Sequence, residues 1–126
     1  MKPETQEWLE KAEGDVKVAR REAGSTDPVY DAVCFHAQQC AEKYLKAWLE
    51  EHNVTFPRIH DLIVLLNLSG GLIPELDLLK PRLAHLSVFG IASRYPGVKA
   101  DRQAAEEAMR TAEEVRAIVR AKLGLP

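Results

Sequence analysis

One stretch of predicted helix, residues 35–47, carries most of the side chains suited to chemistry. It reads Phe-His-Ala-Gln-Gln-Cys-Ala-Glu-Lys-Tyr-Leu-Lys-Ala, and His36, Gln39 and Lys43 recur at spacings of three and four residues on one side of the helix. Histidine acts as an acid or a base near neutral pH, and lysine offers a point charge to phosphate. A glutamine amide can pair with a nucleobase. This side of the helix is therefore a candidate nucleotide- or phosphate-binding surface.

The same helix also has a purely structural interpretation. Glu42, Lys46 and Glu50 follow one another at intervals of four residues, the spacing at which opposite charges form ion pairs along a helix. On this interpretation the polar side is a solvated surface with no chemical role. The sequence leaves both interpretations open.

Two shorter polar clusters follow along the chain. His60 and Asp61 come after a loop that contains Pro57, where Asp61 can cap a short helix and a nearby carboxylate can orient His60. Arg94 and Tyr95 stand at the predicted end of a helix. There Arg94 can bind a phosphate through two hydrogen bonds or only complement the helix dipole, and Tyr95 can simply pack over the turn.

Other catalytic motifs are absent from the sequence. It contains no glycine-rich phosphate loop, no Gly-x-Ser-x-Gly nucleophile motif and no His-Glu-x-x-His zinc motif. Cys34 and Cys40 are six residues apart on one predicted helix, so their side chains diverge and suit neither a disulfide nor a metal site with His36. We expect both cysteines to be small buried residues in a reducing compartment, with no metal and no cofactor.

Composition bounds the class of protein. The 126 residues, with a mass of 14.1 kDa, are 46% hydrophobic and 29% charged, which suits a single globular domain over residues 1–126. The formal net charge of −2 argues against a polycationic nucleic-acid binder but permits a local basic patch. No apolar run approaches the ~20 residues of a membrane span, and the polar N-terminus lacks the hydrophobic region of a signal peptide. We therefore expect a cytoplasmic protein with no membrane partner.

Helical periodicity runs through almost the whole sequence, and no alternating pattern predicts a strand. Asp27-Pro28 is expected to open the second helix and Asp101 the last one, and we expect a turn around Pro74. The predicted fold is an all-α, antiparallel up-and-down bundle of four to five helices. The predicted helices cover about 3–23, 28–52, 62–69, 80–93 and 102–123.

Apolar residues also bear on assembly. Trp48, Phe56 and the leucine-rich third and fourth helices offer more apolar surface than a small bundle must bury. We therefore expect a homodimer.

The three polar clusters together resemble a HEPN domain, one of the small helical domains named for higher-eukaryote and prokaryote nucleotide binding. The resemblance rests on residues 35–47, His60-Asp61-Leu62 and Arg94-Tyr95-Pro96 in this order and spacing. The opening Trp8-Leu9 with Ala12 and Asp15, and the alanine-rich last helix, also fit it. It implies a helical bundle that is usually dimeric, with a polar cleft at the dimer interface. It also implies a minimal nucleotidyltransferase as partner protein, commonly in a toxin–antitoxin pair.

Many HEPN proteins are metal-independent ribonucleases whose signature is an Arg followed, after four to six residues, by a His. This motif is absent here, because the window after Arg94 holds Lys99, Ala100 and Asp101, and no other Arg reaches a His at this spacing. We therefore expect a non-enzymatic subunit that binds nucleotide or RNA phosphate groups, a nucleotidyltransferase partner, or both. The alternatives are a ribonuclease toxin that uses Arg94 with His36 or His60, and a purely structural helical adaptor. The candidate nucleotide- or RNA-binding residues are His36, Gln39, Lys43, His60, Arg94 and Tyr95.

Overall fold

The chain folds into six α-helices and contains no strand, which confirms the predicted all-α bundle. The computed structural model describes residues 1–126. The segment expected to be a turn at Pro74 forms one turn of helix, because the fixed φ of proline suits the first helical position. No helix is both long enough and apolar enough to cross a membrane. The helices are α1 (Pro3–Ala23), α2 (Tyr30–Glu51), α3 (Leu62–Leu68), α4 (Pro74–Asp77), α5 (Lys80–Ala92) and α6 (Arg102–Lys122).

Side-chain caps fix the starts of two helices. The Asp61 carboxylate accepts hydrogen bonds from the backbone N–H groups of Ile63 (2.9 Å) and Val64 (3.3 Å), which begins α3. The Asp101 carboxylate accepts one from Ala104 (2.8 Å), which begins α6. Each cap satisfies backbone donors that the first turn of a helix leaves without a partner. Both predicted caps are therefore confirmed.

The second helix starts later than the sequence predicts. α2 begins at Tyr30, and Asp27-Pro28 lies in the loop before it. The Glu22 carboxylate at the end of α1 accepts hydrogen bonds from the Val29 N–H (3.0 Å) and from the Ser25 hydroxyl (3.1 Å). These bonds tie the loop to α1 as far as Val29, whose φ of −90° and ψ of 95° are not helical.

α2 lies at the centre of the bundle and packs against α1, α5 and α6. It carries both free cysteines, and burial raises the pKa of the Cys34 thiol to about 11 and also raises the pKa of Cys40. The closest approach is made by Gly90 of α5, where an added Cβ would lie 2.5 Å from Cβ of Gln38 and 3.0 Å from the Cys34 carbonyl oxygen. Because only glycine fits there, the C-terminal end of α5 is held directly against α2.

The aromatic residues expected to favour a dimer cover the core of the chain itself. Trp48 is buried, and Phe56 is partly buried with its ring centroid 6.0 Å from that of Trp8. Trp48 therefore offers no free apolar surface and Phe56 only part of one, and the homodimer stays a prediction. Most leucines of α3 and α5 are also buried, namely Leu62, Leu65, Leu66, Leu83 and Leu86.

Candidate functional site

The polar side of α2 is largely buried rather than solvated. The side chain of Lys46 is only 7% exposed, and its ammonium lies 3.0 Å from the Glu42 carboxylate. The rings of Trp8 and Phe56 cover this ammonium, with their centroids 5.3 Å and 5.8 Å from the nitrogen. The second expected ion pair, Lys46–Glu50, does not form. The interpretation of this side as a solvated surface is therefore wrong, because α1 and the loop after α2 enclose it.

Asp15 of α1 fixes the orientation of His36. One oxygen of its carboxylate lies 2.9 Å from Nδ1 of His36, and the other accepts a hydrogen bond from Nζ of Lys43 at 2.5 Å. Asp15 is buried, whereas the side chains of His36 and Lys43 are 29% and 21% exposed. Because an ionised carboxylate can only accept, Nδ1 of His36 carries the proton, and Nε2 of the neutral ring keeps a free lone pair.

Glu42, like Asp15, binds one histidine and one lysine. Its carboxylate lies 2.7 Å from Nδ1 of His60 and 3.0 Å from Nζ of Lys46. The side-chain amides of Gln38 and Gln39 also donate to this carboxylate, each at 3.4 Å. The Gln38 amide further donates to the backbone carbonyl of His60 at 2.8 Å. These bonds hold the loop at His60 against the middle of α2.

Arg94 follows α5 and lies over an aromatic ring of α2. Its guanidinium carbon is 4.4 Å from the ring centroid of Phe35, and Phe35 meets the ring of His36 edge-on at a centroid distance of 5.2 Å. The close packing at Gly90 brings Arg94 to this position. Arg94 is exposed and has neither an ion-pair partner nor a side-chain hydrogen bond within the chain. Its fork of N–H donors is therefore free to bind an anion beside the oriented histidine.

The structure places five of the six candidate residues in two sets on and beside α2, one joined through Asp15 and Phe35 and the other through Glu42. The sixth, Tyr95, is exposed, and its side chain forms no hydrogen bond. The five residues in these sets are His36, Gln39, Lys43, His60 and Arg94.

Three residues that complete this arrangement are not among the sequence candidates. Asp15 carries a sequence signal, because it lies on the apolar stripe of α1 with Ala12 and Ala19, and a charged residue on a buried stripe needs a partner. Glu42 carries none, since nothing in the sequence indicates that the loop after α2 folds back over it. Phe35 carries none either, because its contact with Arg94 depends on how closely α5 approaches α2.

Two grooves lie elsewhere on the molecule. A groove of about 700 Å³ between the end of α1 and α6 is lined by Arg20, Arg102 and Arg110 among others. Another of about 440 Å³ lies between α5 and α6 beside His85 and Phe89. Neither is lined by a candidate residue. The structure contains no group of three or more His, Cys, Asp and Glu side chains placed to hold a metal ion.

A third carboxylate, Glu13, ties three helices together away from the candidate residues. Its two oxygens each accept a hydrogen bond of 2.8 Å from the Arg116 guanidinium, and one also accepts from the Tyr44 hydroxyl. The bonds from Arg116, more than the bond from Tyr44, lower the pKa of Glu13 from 4.5 to about 2. Burial raises the pKa of Tyr44 to about 12. These side chains use their hydrogen-bonding groups on one another, so we interpret their role as structural.

The chain is similar to HEPN domains in both sequence and fold. A sequence profile described as HEPN domain matches residues 5–122. The crystal structure of ST0689, an archaeal HEPN homologue, matches with a TM-score of 0.73 and 28% sequence identity, over 97% of this chain and 98% of that one. No curated protein matches the chain. The resemblance expected from the three polar clusters is thereby confirmed, and the chain belongs to the HEPN domain family.

Proposed function

We propose that the surface formed by His36, Gln39, Lys43 and Arg94 binds phosphate groups of a nucleotide or of RNA. The observation that carries this proposal is the placement of Arg94, an exposed cation with no carboxylate partner, over Phe35 and next to the oriented His36. A guanidinium binds phosphate oxygens through two parallel hydrogen bonds.

His36 and Gln39 add donors and acceptors to this surface. When His36 is protonated, Nδ1 stays bound to Asp15 and Nε2 becomes a second donor for a phosphate oxygen. The amide nitrogen of Gln39 is occupied by Gln38 and Glu42, which leaves its oxygen free to accept from a nucleobase amino group. A net charge of −2 is compatible with contact through a few placed groups.

Titration with nucleotides and short single-stranded RNA, followed by amide chemical shifts, tests this proposal. We expect shifts at His36, Gln39 and Arg94. Arg94→Ala is expected to weaken binding roughly tenfold to a hundredfold, the loss typical of a charge-assisted hydrogen bond. The matched control is Arg21→Ala, which removes the same charge from an exposed and unpaired position of α1. Unchanged shifts at these positions, or equal affinity of the two variants, would contradict the proposal.

We also propose that the domain works as a homodimer with a minimal nucleotidyltransferase, in a toxin–antitoxin type of system. Membership of the HEPN family supports this assembly. Co-expression with the nucleotidyltransferase of a neighbouring reading frame, followed by co-purification and mass measurement, tests it. Separate elution of the two chains would contradict it.

A ribonuclease is the second candidate, and the Asp15–His36 pair favours it. A carboxylate on Nδ1 leaves Nε2 free to remove the proton from a ribose 2′-hydroxyl, whose oxygen then attacks phosphorus as the bond to the 5′-oxygen breaks. Arg94 would stabilise the charge that develops on the phosphate, and water would protonate the leaving oxygen. RNA degradation in the presence of a chelator is then expected to disappear in His36→Ala and in Arg94→Ala. No cleavage, or cleavage unchanged in both variants, would exclude it.

A further inference from the structure

Two neighbouring glutamines of α2 form a series of hydrogen bonds that leads from the interior to the surface. The amide nitrogen of Gln38 donates to the backbone carbonyl oxygen of His60 at 2.8 Å. The amide oxygen of Gln38 accepts a hydrogen bond from the amide nitrogen of Gln39 at 2.7 Å. Gln38 is fully buried, whereas Gln39 is half-buried. The amide oxygen of Gln39 ends the series and has no partner within the protein.

The direction of these hydrogen bonds cannot be reversed. A backbone carbonyl can only accept, so the nitrogen of the Gln38 amide has to face His60 and its oxygen has to face Gln39. An ionised carboxylate also only accepts, and the Glu42 carboxylate lies 3.4 Å from both amide nitrogens. Turning either amide by 180° would therefore set an oxygen against an oxygen in two places.

The Gln39 amide consequently offers an acceptor and no donor to a ligand. Its two N–H groups are both used, one by Gln38 and the other by Glu42. A glutamine on an open surface can turn its amide to present either group, and it does not distinguish a donor from an acceptor on the ligand. The buried amide of Gln38 removes this freedom from Gln39.

This fixed acceptor lies close to the proposed phosphate position. Gln39 is one helical turn from Phe35, whose ring carries the unpaired Arg94. One turn rises about 5.4 Å, so a nucleotide whose phosphate binds Arg94 can reach Gln39 with its base. Cytosine and adenine carry an exocyclic amino group, which donates, where uracil and hypoxanthine carry a carbonyl oxygen, which only accepts.

We propose that Gln39, held by Gln38 and Glu42, selects nucleotides whose base carries an exocyclic amino group, cytosine or adenine, over those with a carbonyl group in its place. This inference rests on the phosphate binding proposed above and adds the identity of the base to it. A carbonyl oxygen at this place would face the Gln39 oxygen, and neither could donate to the other. Gln38 is a positioning residue, because it contacts Gln39 rather than the ligand.

Two pairs of nucleotides test this selection, because the members of each pair share the same phosphate and the same ring size. We expect cytidine monophosphate to bind about threefold to tenfold more tightly than uridine monophosphate, the effect of one hydrogen bond. Adenosine monophosphate should exceed inosine monophosphate by a similar factor. Uracil and hypoxanthine each keep one ring N–H, so the expected result is a preference rather than exclusion.

The outcomes keep this inference apart from the proposed function. Equal affinities within both pairs, or tighter binding of the uridine and inosine nucleotides, would overturn the selection and leave phosphate binding intact. Absence of binding by all four nucleotides would overturn both proposals.

Removal of the acceptor tests the role of Gln39. In Gln39→Leu the two members of each pair are expected to bind equally. Gln103→Leu is the matched control, since Gln103 is an exposed glutamine of α6 whose amide also donates to a glutamate, Glu107, at 3.3 Å. This control should keep the wild-type preference. A preference that survives in Gln39→Leu would overturn the proposal.

Gln38→Leu tests the positioning role without changing the contact residue. Leucine fills similar space beside Gly90 but cannot accept from the Gln39 amide, which is then less restrained, so the preference for cytidine over uridine monophosphate is expected to fall. Both nucleotides meet the same folded fraction of the variant, so the ratio of their affinities reports on the amide and not on stability. An unchanged ratio would overturn the role of Gln38.

Discussion

Two carboxylates, Glu42 of α2 and Asp15 of α1, each bind one histidine and one lysine. The two groups differ in how far the lysine is covered by other side chains. Glu42 binds His60 and Lys46, and the lysine is sealed under Trp8 and Phe56. Asp15 binds His36 and Lys43, and both of these partners remain partly exposed. The same residue types thus serve two purposes. The enclosed group fastens the loop to α2, whereas the open group presents its histidine beside a free arginine.

Residue types alone therefore do not distinguish a binding surface from a group that only stabilises the fold. Glu42 also receives the amides of Gln38 and Gln39, so its hydrogen-bonding capacity is used within the chain. In the Asp15 group, Nε2 of His36 has no partner within the chain, and the unpaired Arg94 lies nearby. The side chain of His60 in the Glu42 group is itself 65% exposed, so what distinguishes the open group is its partly exposed lysine and the unpaired Arg94 on the neighbouring Phe35 ring.

The largest expected effect is the loss of the enclosed carboxylate. Glu42→Gln leaves the Lys46 ammonium buried without a counter-charge, and we expect the free energy of unfolding to fall by about 3–5 kcal/mol in urea titrations. Adding Lys46→Met should recover much of the loss, since the buried charge is then gone. Glu50→Gln is the matched control on the same helix. An equal fall in the free energy of unfolding of this control would contradict the view that Glu42 is special because it is enclosed.

A smaller effect is expected where α5 approaches α2. Gly90→Ala places a methyl group against Gln38, and overpacking of this kind lowers the free energy of unfolding by about 1–3 kcal/mol. It should also displace Arg94 and weaken RNA binding. Gly14→Ala is the control, because Gly14 has open space around it on α1 and alanine there should stabilise the helix. Destabilisation by both variants alike would contradict this view of Gly90.

The open carboxylate should matter less for stability than the enclosed one. Asp15→Asn keeps an acceptor beside Lys43, whose ammonium can also reach water, and we expect a loss of about 1–2 kcal/mol. The clearer readout is the imidazole nitrogen spectrum of His36, which should lose its preference for a proton on Nδ1. If Asp15→Asn lowers the free energy of unfolding as much as Glu42→Gln does and leaves the imidazole spectrum unchanged, both carboxylates serve only to stabilise the fold.

Acid titration separates both groups from the third carboxylate. The pKa of Glu13 falls from 4.5 to about 2 on folding, so its contribution to stability is complete above pH 4.5 and is lost as the pH drops toward 2. Plots of unfolding free energy against pH should therefore be flatter in this window for Glu13→Gln than for the wild type. If the two plots run parallel, the ionisation of Glu13 does not contribute to the pH dependence of stability.

Much of the fold follows from local sequence signals. The first helix ends where predicted, at Ala23, and the Asp61 and Asp101 caps begin their helices where predicted, because each signal acts within one turn of chain. The start of α2 differs because Glu22 binds the loop from the preceding helix. α4 differs because proline suits a helix start as well as a turn.

The candidate site follows from the sequence only in part. Helical spacing places His36 and Lys43 on one side of α2 but does not indicate what faces them. Their shared partner Asp15 belongs to another helix, and its identity depends on how α1 packs. The contact of Arg94 with Phe35 depends on the missing Cβ of Gly90. Interactions set by packing between distant elements are those that periodicity cannot predict.

The enclosure of Lys46 makes its reactivity a probe of local opening of the loop after α2. An amine-reactive reagent acylates a lysine only when its nitrogen meets solvent, and Trp8, Phe56 and Glu42 surround this one. Lys11 is exposed and sets the unhindered rate. The ratio of the two acylation rates therefore measures the fraction of time for which the loop lifts away from α2.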